Sequence, residues 1–202
     1  MSPPFMTGFW AALRGFDAAL LHRINQSWTH PWLDAFFPWL TDLDRNPVAL
    51  WGALPVALAW WLIVQRGRAL RVLLALVAAV GLCDAVAYRF IKPYVHRSRP
   101  EKAGVAVVLR TRNYAGYSFP SNHASNTFAG AAVLGAAYPA LRWPALAVAG
   151  LVAYSRVYVG VHFPADVAAG ALLGLLIGAI IGAALRRFGG LGGRPRSGRN
   201  KS

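Results

Sequence analysis

Three short polar clusters interrupt an otherwise apolar chain, at residues 92–100, 120–123 and 155–166. They contain three cations, two histidines, a carboxylate and two hydroxyls that could act together: Lys92, Arg99, Arg156, His123, His162, Asp166, Ser121 and Ser155. Cations can neutralise the oxygens of a phosphoryl group in transfer, while histidines serve as nucleophiles and proton donors. The clusters therefore predict a site that holds a phosphate and breaks its ester bond.

His162 and Asp166 are four residues apart across a predicted helix start, with Pro164 near the first helical position. Side chains at this spacing can touch. A carboxylate bonded to one ring nitrogen fixes the tautomer and leaves the other nitrogen free to attack phosphorus. We predict such a nucleophilic pair; the alternative is a helix-capping aspartate beside an interfacial histidine.

His123 follows Ser121, a plausible N-cap for the next helix. A helix N-terminus presents unpaired N–H groups and the positive end of the helix dipole, which favour a bound anion. From that place His123 could protonate a departing oxygen and later accept a proton from water. A purely structural histidine at a helix end is the alternative.

Lys92, Arg99 and Arg156 are the candidate phosphate clamp, because arginine contacts phosphate with two donors and lysine supplies a point charge. Each could instead anchor the chain to lipid headgroups, although Pro93 and Pro100 stiffen the first cluster beyond what anchoring requires. Two histidines and an aspartate could also bind zinc. The surrounding cations would repel a divalent ion, so we expect no metal and no cofactor.

Asp84, Tyr88 and Lys92 share one face of a helical stretch. A carboxylate within an apolar span usually has a partner, so we predict that Asp84 supports Tyr88 or Lys92 from behind the site. Polar packing without a functional role is equally open. His96, Arg97 and Ser98 are expected to face headgroups or substrate without a catalytic role, and His22 is expected to be interfacial.

The apolar composition predicts an integral membrane protein. Of the 202 residues, 56% are hydrophobic and 14% are charged, whereas soluble domains carry about 25% charge. The net charge of +14 could indicate nucleic acid, but the basic residues lie between apolar stretches and in the tail, where they suit anionic headgroups. The expected partners are therefore membrane lipids and a lipid substrate. The one cysteine, Cys83, excludes an intrachain disulfide.

The expected fold is an all-α bundle with five membrane spans, at residues 47–64, 69–91, 123–140, 143–160 and 164–185. Residues 1–46 are predicted to form an amphipathic segment with one or two interfacial helices, or a distorted sixth span. We divide the chain into that segment, a catalytic domain at 47–187 and a basic, disordered tail at 188–202.

Alternation of the five spans brings all three polar clusters to one side of the membrane. Lys and Arg are divided almost evenly between the two sides, so their count does not orient the chain. The arginines of the tail and of the 65–71 loop are typical cytoplasmic anchors, and we place the site on the outer side of a bacterial inner membrane.

Four glycines in the last span are spaced four apart and form one small-residue ridge: Gly170, Gly174, Gly178 and Gly182. Such a ridge lets another helix approach closely. Packing within the bundle is the favoured interpretation, and a homodimer seam is the alternative.

The clusters resemble the motifs of the type 2 phosphatidic acid phosphatase (PAP2) superfamily, which is related in site design to vanadium haloperoxidases. Its pattern is K-x6-RP, then PSGH, then SR-x5-H-x3-D. Residues 92–100 and 155–166 match the first and third elements, and the second is PSNH, with Asn122 in place of glycine. The resemblance covers residues 48–185.

The resemblance implies a lipid phosphatase in which His162 forms a phosphohistidine, Asp166 orients it and His123 is the general acid and base. It also implies phosphate binding by five residues: Lys92, Arg99, Ser121, Asn122 and Arg156. Undecaprenyl diphosphate is the first expectation for the substrate, followed by phosphatidylglycerophosphate, phosphatidic acid and lipid A phosphate. A phosphotransferase and a non-catalytic lipid-binding or transport protein are the alternative classes.

Overall fold

The computed structural model describes residues 14–43, 46–47, 51–52 and 54–189. Within them every regular element is helical and no strand occurs, which confirms the predicted all-α class. Residues 14–22 form α1, which continues as a π-helical turn, Arg23–Ser27. The other helices are α2 (Pro31–Thr41), α3 (Leu54–Gln65), α4 (Gly67–Val86), α5 (Lys92–Val95), α6 (Asn122–Ala137), α7 (Arg142–Tyr158) and α8 (Pro164–Phe188).

The helices agree in position with the predicted spans. In the described part of the chain, two helical stretches are long and apolar enough to cross a bilayer, Gly67–Lys102 and Pro164–Phe188, which contain 18-residue windows of mean hydropathy 2.2 and 2.3. Helix α6 has 16 residues and α7 has 17, so α6 is about 24 Å long at 1.5 Å per residue. Residues 48–50 and 53 of the predicted first span lie outside the described residues, as do residues 1–13 and 190–202.

Helices α4, α6 and α8 form the centre of the bundle. Their contact is built from small and branched side chains, including Val72 and Cys83 of α4, Val133 of α6 and Ile177 of α8, all of them buried. Helix α4 continues through a π-helical turn, Ala87–Ile91, into α5. Because these helices are continuous, Lys92 lies beyond the apolar core, at the end of the bundle where the polar clusters lie.

The glycine ridge of α8 lies against α6 within the same chain. A Cβ atom added at Gly174 would be 2.1 Å from the carbonyl oxygen of Ser125, and one added at Gly170 would be 2.5 Å from that of Ser121. Because α6 already covers all four glycines, the ridge is not an exposed homodimer seam, and the packing interpretation is the correct one. This contact brings the start of α6 against the start of α8, where Ser121 N–H donates to the carbonyl of Asp166 at 3.0 Å.

The described part of the N-terminal segment contains two helices, as predicted, and they pack on the polar end of the bundle. Leu21, Ile24 and Phe37 form a second buried core with Tyr158 of α7 and Phe163 of the following turn. Asn25 adds a polar tie, because its side chain donates to the carbonyls of Val108 (2.9 Å) and Tyr158 (2.8 Å). Several tryptophans of the segment remain exposed, namely Trp28, Trp32 and Trp39.

Candidate active site

The structure brings the three polar clusters together at one end of the bundle, as the alternation of spans predicted. Arg99 of the first cluster donates through Nη1 to the carbonyl of Val161 at 3.0 Å, and the same atom lies 3.1 Å from Nε2 of His162. The bond from Ser121 to Asp166 joins the second cluster to the third. Both contacts link residues that are more than 40 positions apart, so they depend on the bundle rather than on local spacing.

His162 and Asp166 make the predicted pair. Nδ1 of His162 is 3.4 Å from Oδ2 of Asp166, which also accepts the backbone N–H of Phe163 at 3.0 Å. Phe163 is the N-cap of α8 and Pro164 begins the helix. The aspartate therefore caps the helix and contacts the histidine at once.

The neighbours of the His162 ring decide its tautomer. A guanidinium can only donate hydrogen bonds and a carboxylate can only accept them. Arg99 therefore requires a lone pair on Nε2, and Asp166 requires the proton on Nδ1. Burial lowers the pKa of His162 to about 4, so at neutral pH the ring is uncharged. The resulting Nε2 lone pair faces the arginines, as a nucleophile for a bound phosphate must.

Arg99 and Arg156 converge on an aromatic ring that the motif pattern does not contain. The Cζ atoms of the two guanidinium groups lie 5.5 Å and 4.6 Å from the ring centroid of Tyr114. Nη1 of Arg156 donates to the hydroxyls of Thr41, at 2.6 Å, and of Tyr114, at 3.3 Å. The Tyr114 hydroxyl donates to Asp42 at 2.6 Å. The N-terminal segment thus fixes one side of the arginine pair.

Three buried donors at this site have no hydrogen-bond partner among the described residues: the Nε atoms of Arg99 and Arg156 and the Oγ atom of Ser121. All three belong to residues predicted to bind phosphate. Ser121 is the N-cap of α6, as expected, but its side chain makes no capping bond. Unpaired buried donors are costly and call for an explanation; an anion with several acceptor oxygens would satisfy all three.

Lys92 lies beside the same turn. Its Nζ atom donates to the carbonyls of Tyr117 and Pro120, both at 3.0 Å. An ammonium group has three donors, so one remains for a ligand while the other two hold the loop that leads into Ser121. Lys92 therefore combines a structural contact with the predicted clamp position.

His123 occupies the first turn of α6 and is half-buried. Its ring packs edge-on against Tyr114, with the centroids 6.3 Å apart. Electrostatic interactions connect it with Arg156, His162 and Arg99. The structure therefore places the second predicted histidine in the same group of charged residues as the first.

Asp84 has partners other than those expected. Its Oδ1 atom accepts the side-chain amides of Asn122 at 2.6 Å and Asn126 at 3.2 Å. Tyr88 is exposed and lies against Lys92 instead, with Nζ 5.4 Å from the ring centroid. Asp84 still interacts electrostatically with Lys92, as expected. Its hydrogen bonds go elsewhere because the bundle offers it a closer pair of donors on α6 than its own helical face does.

The contact with Asp84 adds a structural task to the expected role of Asn122. One donor of its side-chain amide is engaged by Asp84 behind the site, and the second donor remains for a phosphate. Asn122 is not among the residues with positive φ in the described chain, which apart from glycine are Arg66 and His96. The residue that stands in place of the family's glycine is therefore unstrained, and it adds a hydrogen bond between α6 and α4.

We predict that Asn122→Gly weakens folding more than catalysis. Hydrogen bonds to charged groups contribute about 1.5–3 kcal/mol, so thermal unfolding in detergent should occur at a lower temperature while turnover stays near that of the wild type. Asp84→Asn should destabilise in the same way, and the double variant should lose less than the sum. A large loss of turnover in Asn122→Gly without a loss of stability would instead place the amide on the substrate.

Spacing alone did not reveal two further residues of the site region, Arg97 and Asp17. Arg97 was expected to face headgroups or substrate, but its Nη1 atom donates to Oδ1 of Asp166 at 2.8 Å, and its Nη2 atom pairs with Asp17 of α1. The weak signal available was a second arginine two positions before Arg99. Nothing in the sequence around Asp17 points to a residue 149 positions later.

The fold and the site define a helical, apolar protein with buried, unpartnered donors beside a histidine–aspartate pair. Residues 68–188 match the PAP2 superfamily. The chain belongs to that superfamily.

Three similar proteins agree with this assignment. The chain is 32% identical to a lipid A 4'-phosphatase of Bacteroides thetaiotaomicron over 113 residues, which are 52% of this chain and 50% of the relative. It is 32% identical to an undecaprenyl-diphosphatase of Sulfolobus acidocaldarius over 79% of this chain and 73% of the relative. The crystal structure of Aquifex aeolicus LpxE matches with a TM-score of 0.62 and 29% identity, over 81% of this chain and 92% of that one. The chain thus spans about half the length of the first of these relatives.

Proposed function

We propose that this protein is an integral membrane phosphatase that hydrolyses a lipid phosphate through a phosphohistidine on His162, without a metal ion. The observation that carries the proposal is the group of buried, unpartnered donors of Arg99, Arg156 and Ser121 beside the Nε2 lone pair of His162. A phosphoryl group bound to these donors would lie next to the atom that attacks it. The three predicted cations would offset its charge in place of a divalent ion.

In the first step Nε2 of His162 attacks phosphorus, and the bond from phosphorus to the departing oxygen breaks. That oxygen is the ester oxygen of a lipid monophosphate or the bridging oxygen of a lipid diphosphate. The departing oxygen takes a proton from His123, and the Nδ1 proton of His162 remains directed at Asp166, which stabilises the positive charge on the ring. In the second step a water attacks the phosphohistidine and gives a proton to His123. The P–N bond breaks, and inorganic phosphate leaves.

The substrate we favour is undecaprenyl diphosphate. An undecaprenyl-diphosphatase among the similar proteins supports this choice, and a lipid A 4'-phosphatase supports lipid A phosphate as the next candidate. Phosphatidylglycerophosphate and phosphatidic acid share the same reacting group. The exposed apolar side chains of the bundle are leucines, valines and aromatic residues that suit any of these lipids.

For the membrane arrangement we propose five spans, with α3, α4, α6, α7 and α8 crossing the bilayer of a bacterial inner membrane and the site facing outward. The charge distribution supports this orientation, because α7 begins with Arg142 and α8 ends with Arg186 and Arg187, away from the site. The division into residues 1–46, 47–187 and 188–202 remains part of the proposal. The exposed tryptophans of α2 suit an interfacial position.

We expect phosphate release from a panel of lipid phosphates by detergent-purified protein, at a rate that EDTA does not reduce. Undecaprenyl diphosphate, phosphatidylglycerophosphate, phosphatidic acid and lipid A phosphate form the panel, and His162→Ala protein purified in parallel is the control. Loss of activity in EDTA that is regained with Mg²⁺ would contradict the metal-free mechanism. Transfer of phosphate to an added alcohol, in place of release, would identify a phosphotransferase.

A further inference from the structure

We propose that Arg97 and Asp17 are positioning residues for the catalytic pair: they form an ion-pair relay from α1 that holds Asp166, and through it the tautomer of His162. The proposal rests on the proposed function, since it gives these two residues a task in that reaction. Asp17 lies outside the motif elements of the superfamily, and Arg97 occupies one of the unspecified positions of the first element. Both lie behind Asp166, on the side of His162 opposite to Arg99.

The first step of the argument is the geometry of Arg97. Its two terminal nitrogens bind two different carboxylates, Nη1 that of Asp166 and Nη2 that of Asp17. Its Cζ atom lies 4.0 Å from the ring centroid of Phe163, which fixes the plane of the guanidinium group. The Asp17 and Asp166 side chains are 5% and 0% exposed, against 22% for Arg97. A planar fork can bridge two buried carboxylates in this way, whereas a lysine ammonium is a single point charge.

The second step is the accounting of the carboxylate oxygens. Oδ1 of Asp166 receives Arg97, which leaves Oδ2 to the backbone of Phe163 and to the Nδ1 atom of His162. Oδ1 of Asp17 receives the backbone N–H of Ala165 at 2.8 Å, in the first turn of α8. The relay therefore holds the carboxylate of Asp166 through Arg97 and the first turn of α8 through Asp17. Asp166 cannot rotate without breaking a charged hydrogen bond.

The third step concerns charge. Asp17 and Asp166 bind the same guanidinium group, and two buried carboxylates at such a site repel each other when no cation lies between them. The carboxylate of Asp166 is the hydrogen-bond acceptor for the Nδ1–H group of His162. Arg97 supplies the compensating charge, and Asp17 holds Arg97 in the bridging position. The catalytic pair consequently depends on a helix of the N-terminal segment, which the motif elements do not include.

The kinetic test compares Arg97→Gln, Arg97→Lys and Asp17→Asn with the wild type on the lipid phosphate that is turned over fastest. We expect kcat to fall by about 10- to 100-fold in Arg97→Gln and Asp17→Asn, as is common for groups that orient a reacting residue. The KM should stay near that of the wild type, because neither residue faces the phosphate donors. Arg97→Lys should recover part of the loss.

Arg110→Gln is the matched control. Arg110 joins the same two parts of the chain, donating to Asp34 of α2 at 2.7 Å and to the carbonyl of Asn25 at 2.7 Å, without touching the catalytic pair. The Arg110→Gln substitution should lower the thermal stability of the protein while kcat changes little. Equal losses of kcat in Arg110→Gln and Arg97→Gln would show that the relay only docks the segment, and would overturn the proposal.

A second measurement does not require turnover. Nitrogen-15 NMR of histidine-labelled protein reports which ring nitrogen carries the proton, and His162→Ala assigns the signal. We expect the wild-type ring to be protonated on Nδ1, and Arg97→Gln and Asp17→Asn to populate the Nε2-protonated form. The charged and titratable groups around the ring remain in every variant: Arg99, His123, Arg156 and Asp166.

The two measurements separate the possible failures. A wild-type protein that releases no phosphate from any lipid would refute the proposed function, while the tautomer shift would still support or refute the relay. An active enzyme whose tautomer and kcat are unchanged in both Arg97→Gln and Asp17→Asn would overturn the relay and leave the proposed function intact. Asp17→Asn preserves the shape of the side chain, so it provides a folded variant if Arg97→Gln does not fold.

Discussion

Replacement of His162 by alanine should reduce lipid phosphate turnover by a factor of about 10⁴ or more, the size seen when the nucleophile of a hydrolytic site is removed. The reason is geometric. The Nε2 atom of His162 offers a lone pair next to the unpartnered donors of Arg99 and Arg156. In the variant a neighbouring water would have to attack phosphorus in place of Nε2. Asp166 orients the ring of His162 and would not orient that water.

The measurement has two parts. Phosphate release is followed with the best lipid of the panel, and radiolabelled substrate is used to trap a phosphorylated protein that is stable to base and labile to acid, as a phosphohistidine is. The wild type should become labelled and His162→Ala should not. Thermal unfolding must show that the variant is folded. His22→Ala removes an exposed histidine of α1 and is the matched control. Substantial turnover by His162→Ala would remove this residue from the nucleophile role.

His123→Ala should have the second largest effect, a loss of about 10²–10⁴-fold with a lipid monophosphate, the range for general acid–base catalysis. The lipid alkoxide is a poor leaving group, so its departure requires a proton. His123 is placed to deliver one, since its ring lies beside Tyr114 at the start of α6, near Arg99 and Arg156. The negative charge of the bound phosphate offsets these cations, which by themselves disfavour the protonated ring. With p-nitrophenyl phosphate the first step needs no proton donor, and the loss in that step should be small.

The second half of the reaction makes this prediction sharper. Water must still be deprotonated to release the phosphate from His162, so His123→Ala should accumulate the phosphohistidine when the leaving group is good. A burst of p-nitrophenol followed by slow turnover is the expected signature. A diphosphate lipid should give an intermediate loss, since its leaving phosphate is less basic than an alcohol. Equal losses with every substrate and no accumulation would mean that His123 does not transfer protons.

The predicted and observed structures agree where a local pattern was sufficient. Apolar runs of span length predicted the helices. A helix makes all its backbone hydrogen bonds within itself, so it is the structure that an apolar segment adopts in an apolar environment. The i, i+4 spacing predicted that His162 would meet Asp166, and the alternation of spans predicted that Arg99 would come to the same end as both. Family membership followed from the same short motifs.

Contacts that no spacing encodes were not predicted. Asp84 was expected to support Tyr88 or Lys92 further along the same helical stretch, yet its hydrogen bonds go to Asn122 and Asn126 across the helix interface. Tyr114 lies between the arginines of the site although it belongs to no motif element. In each case a flexible side chain has several possible partners at similar distances, and the tertiary packing of the bundle determines which partner is nearest.

What the sequence determined by itself was the chemistry: which residues could attack, donate and neutralise, and that they would lie at one end of an apolar helical bundle. These follow from residue type, periodicity and the order of spans, all of which act along the chain. The tertiary structure alone decided that Asp17, Arg97 and Asp166 would meet. The reason is that a buried carboxylate binds whichever cation the fold brings within hydrogen-bond reach, and residues 17, 97 and 166 become neighbours only once α1 has packed on the start of α8.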